Sequence, residues 1–247
     1  MKIEFVGVGE AFDPALGNTS VLLHSETKLL VDCGYAIPLR LFDREWDANY
    51  LDALYVTHFH ADHTFGIPAL ITRLQEDGRT SPFVIIGQPG VREHVHELIR
   101  LAYPGIRTRL RYDLHFIETK DPVRFRDLDL AFAETSHSVR NFAVRVTTDR
   151  VSVCISGDGD MTPASRELFS NCQFLVHEAY TFSTDAPNHA MGTSVFDFAS
   201  TIPSLQGLAL VHIQRGERRK SARQFAGLKP RAAFRVLVPE PGELIEV

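Results

Sequence analysis

Cysteine is scarce in this chain, and its positions exclude two kinds of site. The 247 residues include only three cysteines, which stand far apart and form no C-x-x-C pair: Cys33, Cys154 and Cys172. An odd number of widely spaced cysteines supports neither a disulfide framework nor a zinc site built from cysteine alone. We therefore expect reduced thiols and a cytoplasmic protein.

Long hydrophobic runs and a strong charge imbalance are also missing. The sequence has no run of the ~18 apolar residues that a membrane-spanning helix needs. Its first residues, Met1–Phe5, alternate like a strand and do not follow the charged-then-apolar order of an export signal. The net charge of −5 is mild and does not suit a protein that coats nucleic acid. We expect no membrane partner.

Hydrophobic periodicity predicts one α/β domain over residues 1–247, made of two sheet-and-helix halves joined near residues 118–127. Runs typical of strands occur at 2–8, 20–24, 28–33, 51–57, 82–86, 128–133, 142–147, 151–156, 174–177 and 208–213. Helical spacing occurs at 66–75, 90–101, 163–169, 193–201 and 217–225. No low-complexity segment or linker interrupts this order, which favours a single domain.

Histidine is abundant where cysteine is not. The chain has 11 histidines, and three of them stand with an aspartate in the segment His58–His63, which reads H-x-H-x-D-H. This segment follows the predicted strand 51–57, at the point where a strand turns into a helix. Imidazole and carboxylate at this density suit a divalent ion such as zinc, manganese or iron. We therefore predict a metal site here, although a lone histidine is more often a core or surface residue.

An H-x-H-x-D-H segment after a strand resembles the metallo-β-lactamase fold superfamily. Three further residues of that family's site find counterparts in the right order, each after a predicted strand: His137, Asp158 and His212. The resemblance covers nearly the whole chain. It implies an α/β fold that is a four-layer αββα sandwich, with two mixed β-sheets flanked by helices.

Carried over by position, the resemblance assigns seven residues to two divalent metal ions, most simply Zn²⁺, with Mn²⁺ or Fe²⁺ as alternatives. The first ion would be held by His58, His60 and His137, the second by Asp62, His63 and His212, and Asp158 would bridge them. Two such ions lower the pKa of a bridging water and supply a hydroxide nucleophile at neutral pH. Asp62 would also help to orient that water. Asp32, at the end of a predicted strand, is the candidate outer acceptor for a ligand imidazole.

A second pair of residues narrows the resemblance to the ribonuclease Z branch, the transfer-RNA 3′-processing endonucleases and related phosphodiesterases. Glu178 follows the predicted strand 174–177, and His189 lies in the loop before a predicted helix. A ribose alkoxide is a poor leaving group, so a histidine held by a carboxylate can protonate it as a general acid. The resemblance assigns the acid role to His189 and its orientation to Glu178. A strand-end salt bridge and an ordinary loop histidine are the alternatives.

The substrate stays open between RNA and a small cyclic or capped nucleotide diester. The segment between His115 and His137 is too short for the long arm with which transfer-RNA processing enzymes grip their substrate. Basic residues gather at 100–111 and 215–231, where they form either a phosphate-binding surface or a solvated face. Arg215 is the basic residue nearest to His212 in the sequence.

Two other functions remain compatible with the sequence. A lactonase or thioesterase of the same fold would need less help for its leaving group, and a non-catalytic metal-binding carrier could keep the fold without turnover. A homodimer is compatible with the resemblance, and the sequence leaves the oligomeric state open. The segment 37–46, which includes Trp46, has an apolar side that suits either a cleft rim or a dimer contact.

Overall fold

Two β-sheets of seven strands each form the centre of the computed structural model, which describes residues 1–43 and 47–247. Trp46, named above as a rim or dimer residue, lies outside the described residues. The first sheet begins with β1 (Lys2–Gly7), β2 (Ser20–His24), β3 (Lys28–Val31), β4 (Ala53–Val56), β5 (Phe83–Gly87) and β6 (Leu114–Glu118). The second sheet contains β7 (Val123–Phe125), β8 (Leu128–Glu134), β9 (Phe142–Thr147), β10 (Ser152–Ile155), β11 (Phe174–Glu178), β12 (Gly207–Val211) and β13 (Arg235–Leu237), and β14 (Leu244–Glu246) returns to the first.

Helices cover the outer faces of both sheets. They are α1 (Ile37–Phe42), α2 (Ala61–Thr64), α3 (Ile67–Glu76), α4 (Val91–Ala102), α5 (Pro163–Phe169), α6 (Gly192–Ala199), α7 (Arg215–Lys220) and α8 (Ala222–Ala226). Short 3₁₀ turns occur at Ile106–Arg109 and Lys229–Arg231. None of these helices, within residues 1–43 and 47–247, has the length and apolar character needed to cross a bilayer.

Both sheets mix parallel and antiparallel pairs. The first has the order β14-β1-β2-β3-β4-β5-β6, with parallel pairing from β3 to β6. The second has the order β13-β12-β11-β10-β9-β8-β7, with parallel pairing from β10 to β13. Side chains from the two sheets share one buried layer, which includes Phe5, Val31, Tyr55, Val144, Val153 and Val176. The predicted αββα sandwich with two mixed sheets is confirmed.

The carboxyl ends of the parallel strands matter most for function, because the loops that leave them meet at one edge of each sheet. The chain crosses from the first sheet to the second between β6 and β7, over residues 119–122, inside the predicted joint 118–127. Loops from both sheets meet in one region, where residues that follow β4, β8, β10 and β12 lie close together.

The sequence prediction missed β6, β7, β13 and β14. Three of them have only three residues, which is too short for a period of two to be recognised. The predicted helix 217–225 is in fact two helices, α7 and α8, and the break falls at Ser221, whose ψ of 15° departs from helical geometry.

Candidate metal centre

The predicted ligand residues all lie just beyond strand ends on the same side of the sandwich. His58 and His60 follow β4 and lead into α2, which carries Asp62 and His63. From the second sheet come three single residues, which follow β8, β10 and β12 respectively: His137, Asp158 and His212. Residues separated by up to 154 positions in the chain therefore converge on one place because the two sheets face each other.

The first group consists of three imidazoles and one carboxylate. His60 Nδ1 lies 3.1 Å from His58 Nε2 and 3.2 Å from His137 Nε2. Asp158 Oδ2 lies 3.8 Å from both of those Nε2 atoms. One ligand atom from each of these four residues falls within 4.8 Å of the others.

The second group shares Asp158 with the first. His63 Nε2 lies 3.3 Å from Asp62 Oδ2 and 3.4 Å from Asp158 Oδ1. His212 Nε2 lies 3.5 Å from Asp62 Oδ2 and 3.3 Å from Asp158 Oδ2. Asp158 therefore lies between the two groups, with Oδ1 facing His63 and Oδ2 facing His58, His137 and His212. This is the position that a bridging ligand would occupy.

The donor set fits divalent ions on two observations. Among the described residues, His63 Nε2 and Asp158 Oδ1 are buried polar atoms without a hydrogen-bond partner, which is costly unless something else binds them. In addition, a tetrahedral ion bound at 2.0–2.1 Å places two imidazole nitrogens ~3.3 Å apart. The spacing of 3.1–3.2 Å between the nitrogens of the first group is close to that value. The residues present therefore suit a metal ion in each group.

Outer contacts fix the ring orientation of three histidines. Asp32 Oδ2 accepts a hydrogen bond from His63 Nδ1 at 2.7 Å, and also one from the Thr57 hydroxyl at 2.8 Å. The same hydroxyl lies 3.0 Å from His58 Nδ1. His137 Nδ1 donates to the backbone carbonyl of Asn188 at 2.8 Å. With Nδ1 occupied in each ring, Nε2 is the atom left to face the centre.

Asp32 thus contacts a histidine of the cluster, as predicted, and it is linked to a second ring, that of His58, through the Thr57 hydroxyl. Its backbone adopts a φ of 61°, in the left-handed region that aspartate and asparagine tolerate better than most residues. The backbone N–H of Thr57 donates to its other carboxylate oxygen, Oδ1, at 2.8 Å. These bonds hold the carboxylate rigidly between β3 and β4.

The turn that carries Asp158 depends on two glycines. Gly157 and Gly159 have φ values of 62° and 104°. A Cβ at Gly157 would lie 2.3 Å from Asn141 Oδ1, and one at Gly159 would lie 2.7 Å from the Ser136 carbonyl oxygen. Asn141 Oδ1 accepts the backbone N–H of Asp158 at 3.2 Å. The tight turn therefore fixes the position of the Asp158 carboxylate, which both groups share.

The cluster has strongly coupled charges. Burial lowers the pKa of His58 well below its usual value, and the neighbouring His63 adds to this. Burial acts the same way on His212, but the charge of Asp158, the hydrogen bond to Asp62 and the charge of Glu178 outweigh it and raise the pKa to about 10. Burial alone would raise the pKa of Asp158, whereas the facing histidines hold it well below the usual range. Without metal, protonated imidazoles therefore balance the carboxylates.

Glu178 and His189 lie beside the second group. Glu178 is fully buried at the end of β11, and its Oε2 accepts a hydrogen bond from His189 Nδ1 at 2.8 Å. Its other oxygen accepts the backbone N–H groups of Gly159 and Ala190. Burial lowers the pKa of His189, but the hydrogen bond and charge of Glu178 reverse the effect and raise it above its usual value.

Sequence reasoning missed Tyr180. Its ring stacks on the His189 ring, with centroids 4.3 Å apart and an angle of 16° between the planes. The sequence did hold a signal for this residue, because Tyr180 stands only two residues after Glu178. The ring restricts how far the His189 imidazole can turn about its bond to Glu178.

A cleft of about 360 Å³ opens over the two groups. Six predicted residues line it, together with Glu10, Ala11, Phe12, Ser138 and Tyr180: His60, Asp62, His137, Asp158, His189 and His212. The segment after β1 therefore forms one rim of the cleft. Glu10 is buried and pairs with Arg215. The arginine nearest to His212 in sequence is thus already matched by a carboxylate.

The two basic stretches are partly neutralised. In the stretch 215–231, Arg218 binds Glu240 at 2.8 Å and Lys220 lies 3.9 Å from Glu217. In the stretch 100–111, Arg100 binds Glu97 at 2.5 Å. Nucleic-acid binding by these surfaces stays a prediction.

Comparison with known proteins gives one family and one fold. Residues 1–228 match the family model described as Anti-Pycsar protein Apyc1. Over 154 residues the chain is 30% identical to ribonuclease Z of Listeria monocytogenes serovar 1/2a, a match that covers 59% of this chain and 49% of that protein. The chain spans about half the length of the Listeria ribonuclease Z proteins that it matches.

Solved structures agree with the architecture. The metallo-β-lactamase fold protein YhfI of Bacillus subtilis superposes with a TM-score of 0.82 at 21% identity, covering 100% of this chain and 99% of that one. The short form of human tRNase Z superposes with a TM-score of 0.80 at 20% identity, with the same coverage of both chains. At these identities the likeness establishes the metallo-β-lactamase fold.

Proposed function

Because this chain belongs to the Anti-Pycsar protein Apyc1 family and has the metallo-β-lactamase fold, we propose that it is a metal-dependent hydrolase that cleaves a phosphodiester. The proposed centre holds two divalent ions, most simply Zn²⁺. A cytoplasmic location stays a prediction from the sequence, which leaves a homodimer open.

One observation carries the proposal, namely that two ligand groups share Asp158 while a buried Glu178–His189 pair lies beside them. Bound to these groups, two ions would activate a water and neutralise the charge of the phosphate oxygens. A centre of this kind is also compatible with other hydrolyses. The carboxylate-held histidine favours a diester, because it is the part needed when the leaving group is a poorly stabilised alkoxide.

The residues of the chain act as follows. In its doubly protonated form, His189 donates its Nδ1–H to Glu178 and carries a second proton on Nε2, which it passes to the departing oxygen. Glu178 keeps the imidazole oriented and favours its protonated form. Tyr180 limits rotation of the His189 ring from one side. Asp62, whose pKa the neighbouring His63 holds low in spite of burial, stays ionised and can accept a hydrogen bond from the attacking water.

The cleft favours a small diester as the substrate. Its volume of about 360 Å³ lies near the lower end of the range for small-molecule sites, ~300–1,000 Å³. Residues 114–134 form β6, β7 and β8 with short connections, so the part of the chain between His115 and Ser136 carries no long arm. A cyclic or capped nucleotide diester therefore suits this site better than transfer RNA.

A substrate panel tests the proposal on metal-loaded protein, with bound metal measured beforehand. The panel contains bis(p-nitrophenyl) phosphate, a 3′,5′-cyclic nucleotide, a 3′-extended transfer RNA and a lactone. We expect turnover of the first two and none of the lactone. Lactone turnover without diester turnover would assign a carboxyl-centred hydrolase, and no turnover with full metal occupancy would assign a carrier. Turnover of transfer RNA alone would identify RNA as the substrate.

A further inference from the structure

Phe12 is an exposed aromatic residue on the rim of the candidate centre. Its side chain lines the cleft, yet the residue is 74% exposed. The floor of this cleft contains imidazoles and carboxylates, and Phe12 adds a flat apolar surface at its rim. An apolar ring left in water is costly unless something covers it when the site is in use.

The segment that carries Phe12 is fixed rather than loose. The backbone N–H of Phe12 donates to Glu10 Oε2 at 2.8 Å, and Glu10 Oε1 pairs with the Arg215 guanidinium. Asp13 Oδ1 accepts the backbone N–H groups of Ala15 and Leu16, both at 2.9 Å.

The base of the loop is closed as firmly as its tip. The backbone N–H of Gly9 donates to the Gly17 carbonyl at 2.7 Å, and the Thr19 hydroxyl donates to the Gly9 carbonyl at 3.0 Å. Tyr35 and Asn18 both donate to the Ala11 carbonyl. An exposed ring on a backbone tied at so many points is held in place before a ligand arrives, which reduces the entropy lost on binding.

We propose that Phe12 is a specificity-determining residue that stacks on the nucleobase of a mononucleotide-sized substrate. The inference rests on the proposed function, because the phosphodiester would occupy the polar floor. The part of a nucleotide diester that is both flat and apolar is its base, and Phe12 is the matching surface at the rim. Stacking is tolerant of base identity, since every base has a π face. The site would then distinguish nucleotides from sugar phosphates more strongly than one base from another.

Binding measured by titration calorimetry on the metal-loaded full chain tests this inference without requiring turnover. Adenosine 5′-monophosphate and ribose 5-phosphate are the two probes, since they differ only in the base. We expect the wild-type protein to bind the nucleotide ~10-fold tighter or more, as loss of one stacked base costs about that much. Phe12→Ala should remove most of this preference and leave ribose 5-phosphate binding unchanged.

Three further variants separate stacking from other effects. Phe12→Trp keeps an aromatic face and should retain the preference, whereas Phe12→Leu keeps apolar volume without a ring and should lose it. Leu39→Ala is the matched control, because Leu39 is equally exposed at 75% and is not part of the cleft wall. Equal weakening of both probes by Phe12→Ala, or wild-type behaviour of Phe12→Leu, would overturn the inference.

Steady-state kinetics distinguish whether the stacked base belongs to a mononucleotide or to RNA. Adenosine 3′,5′-cyclic phosphate and the corresponding abasic methyl riboside cyclic phosphate should differ in KM for the wild-type protein and not for Phe12→Ala. A Phe12 effect found only with a short oligoribonucleotide would assign the stacked base to RNA and overturn the mononucleotide substrate. Nucleotide binding that depends on Phe12 without any diester turnover would refute the proposed function and leave the stacking inference standing.

Discussion

Glu178 contacts two histidines that serve different purposes. Its Oε2 lies 2.8 Å from His189 Nδ1 and 3.6 Å from His212 Nδ1. Because His212 turns its Nε2 toward Asp62 and Asp158, one buried carboxylate orients both a proposed metal ligand and the proposed acid. A change at Glu178 therefore affects both histidines, whereas a change at His189 tests the acid role alone.

The acid role of His189 predicts a leaving-group effect. His189→Ala should lower kcat on a diester with an alkoxide leaving group by ~10²–10⁴-fold, because general acid catalysis contributes about that much. Turnover of bis(p-nitrophenyl) phosphate should fall far less, since nitrophenolate departs without protonation. Bound metal, measured by mass spectrometry, should match the wild-type protein. Equal losses on both substrates would contradict the role.

The raised pKa of His189 predicts the pH profile. The acid must be protonated, so kcat/KM on the alkoxide substrate should fall as pH rises through that pKa. Glu178→Gln removes the carboxylate charge, which lowers the pKa of His189 and should move the falling limb to lower pH. The measurement is kcat/KM against pH for both proteins. An unmoved limb would show that Glu178 does not control this proton.

The shared position of Asp158 predicts loss of both metal and activity on its removal. Asp158→Ala should abolish diester hydrolysis and reduce the metal bound per chain, because both groups lose a ligand. His60→Ala should do the same through the first group. His115→Ala is the matched control, since His115 is an exposed histidine on β6. A metal-replete and fully active protein at either test position would overturn the ligand assignment.

The outer contacts of Asp32 predict a weaker metal site in Asp32→Asn. Asparagine tolerates the same left-handed backbone, so the fold should persist. Metal affinity should fall ~10–100-fold, as is usual when an outer partner of a ligand histidine is lost. Competition with a metal-binding dye gives the affinity. Asp129→Asn, which alters an exposed carboxylate on β8, should leave it unchanged.

The raised pKa of His212 predicts how metal-free protein responds to pH. An unfolded histidine has a pKa near ~6.5, whereas His212 in the fold has one of about 10. Its stabilising contribution is therefore complete below pH ~6.5 and is lost as pH rises toward 10. The Tm of metal-free protein should therefore fall between pH ~7 and ~10. The expected decrease is ~2–4 °C for each kcal/mol lost from the free energy of unfolding.

Metal-loaded protein should not show this decline, because its ligand imidazoles are already deprotonated. Thermal melts in chelator and in added zinc make the comparison. A midpoint that is constant or rises over this pH range in chelator would contradict the charge balance described for the cluster.

The sequence alone identified the residues of the candidate centre. The segment His58–His63 concentrates histidine and aspartate after a strand, which is visible without coordinates because it depends on residue types and short-range periodicity. The resemblance to a known family added His137, Asp158 and His212, and also Glu178 and His189.

Tertiary structure decided everything that depends on distance between remote segments. Three relationships could not be read from spacing: Asp32 binds His63 and is linked to His58 through Thr57, Tyr180 stacks on His189, and Glu10 fixes Phe12 and pairs with Arg215. The short strands β7, β13 and β14 were also invisible, because their pairing comes from neighbouring strands rather than from their own pattern. Ligand identity is encoded locally, whereas the orientation of each ligand and the shape of the cleft arise only when two sheets pack face to face.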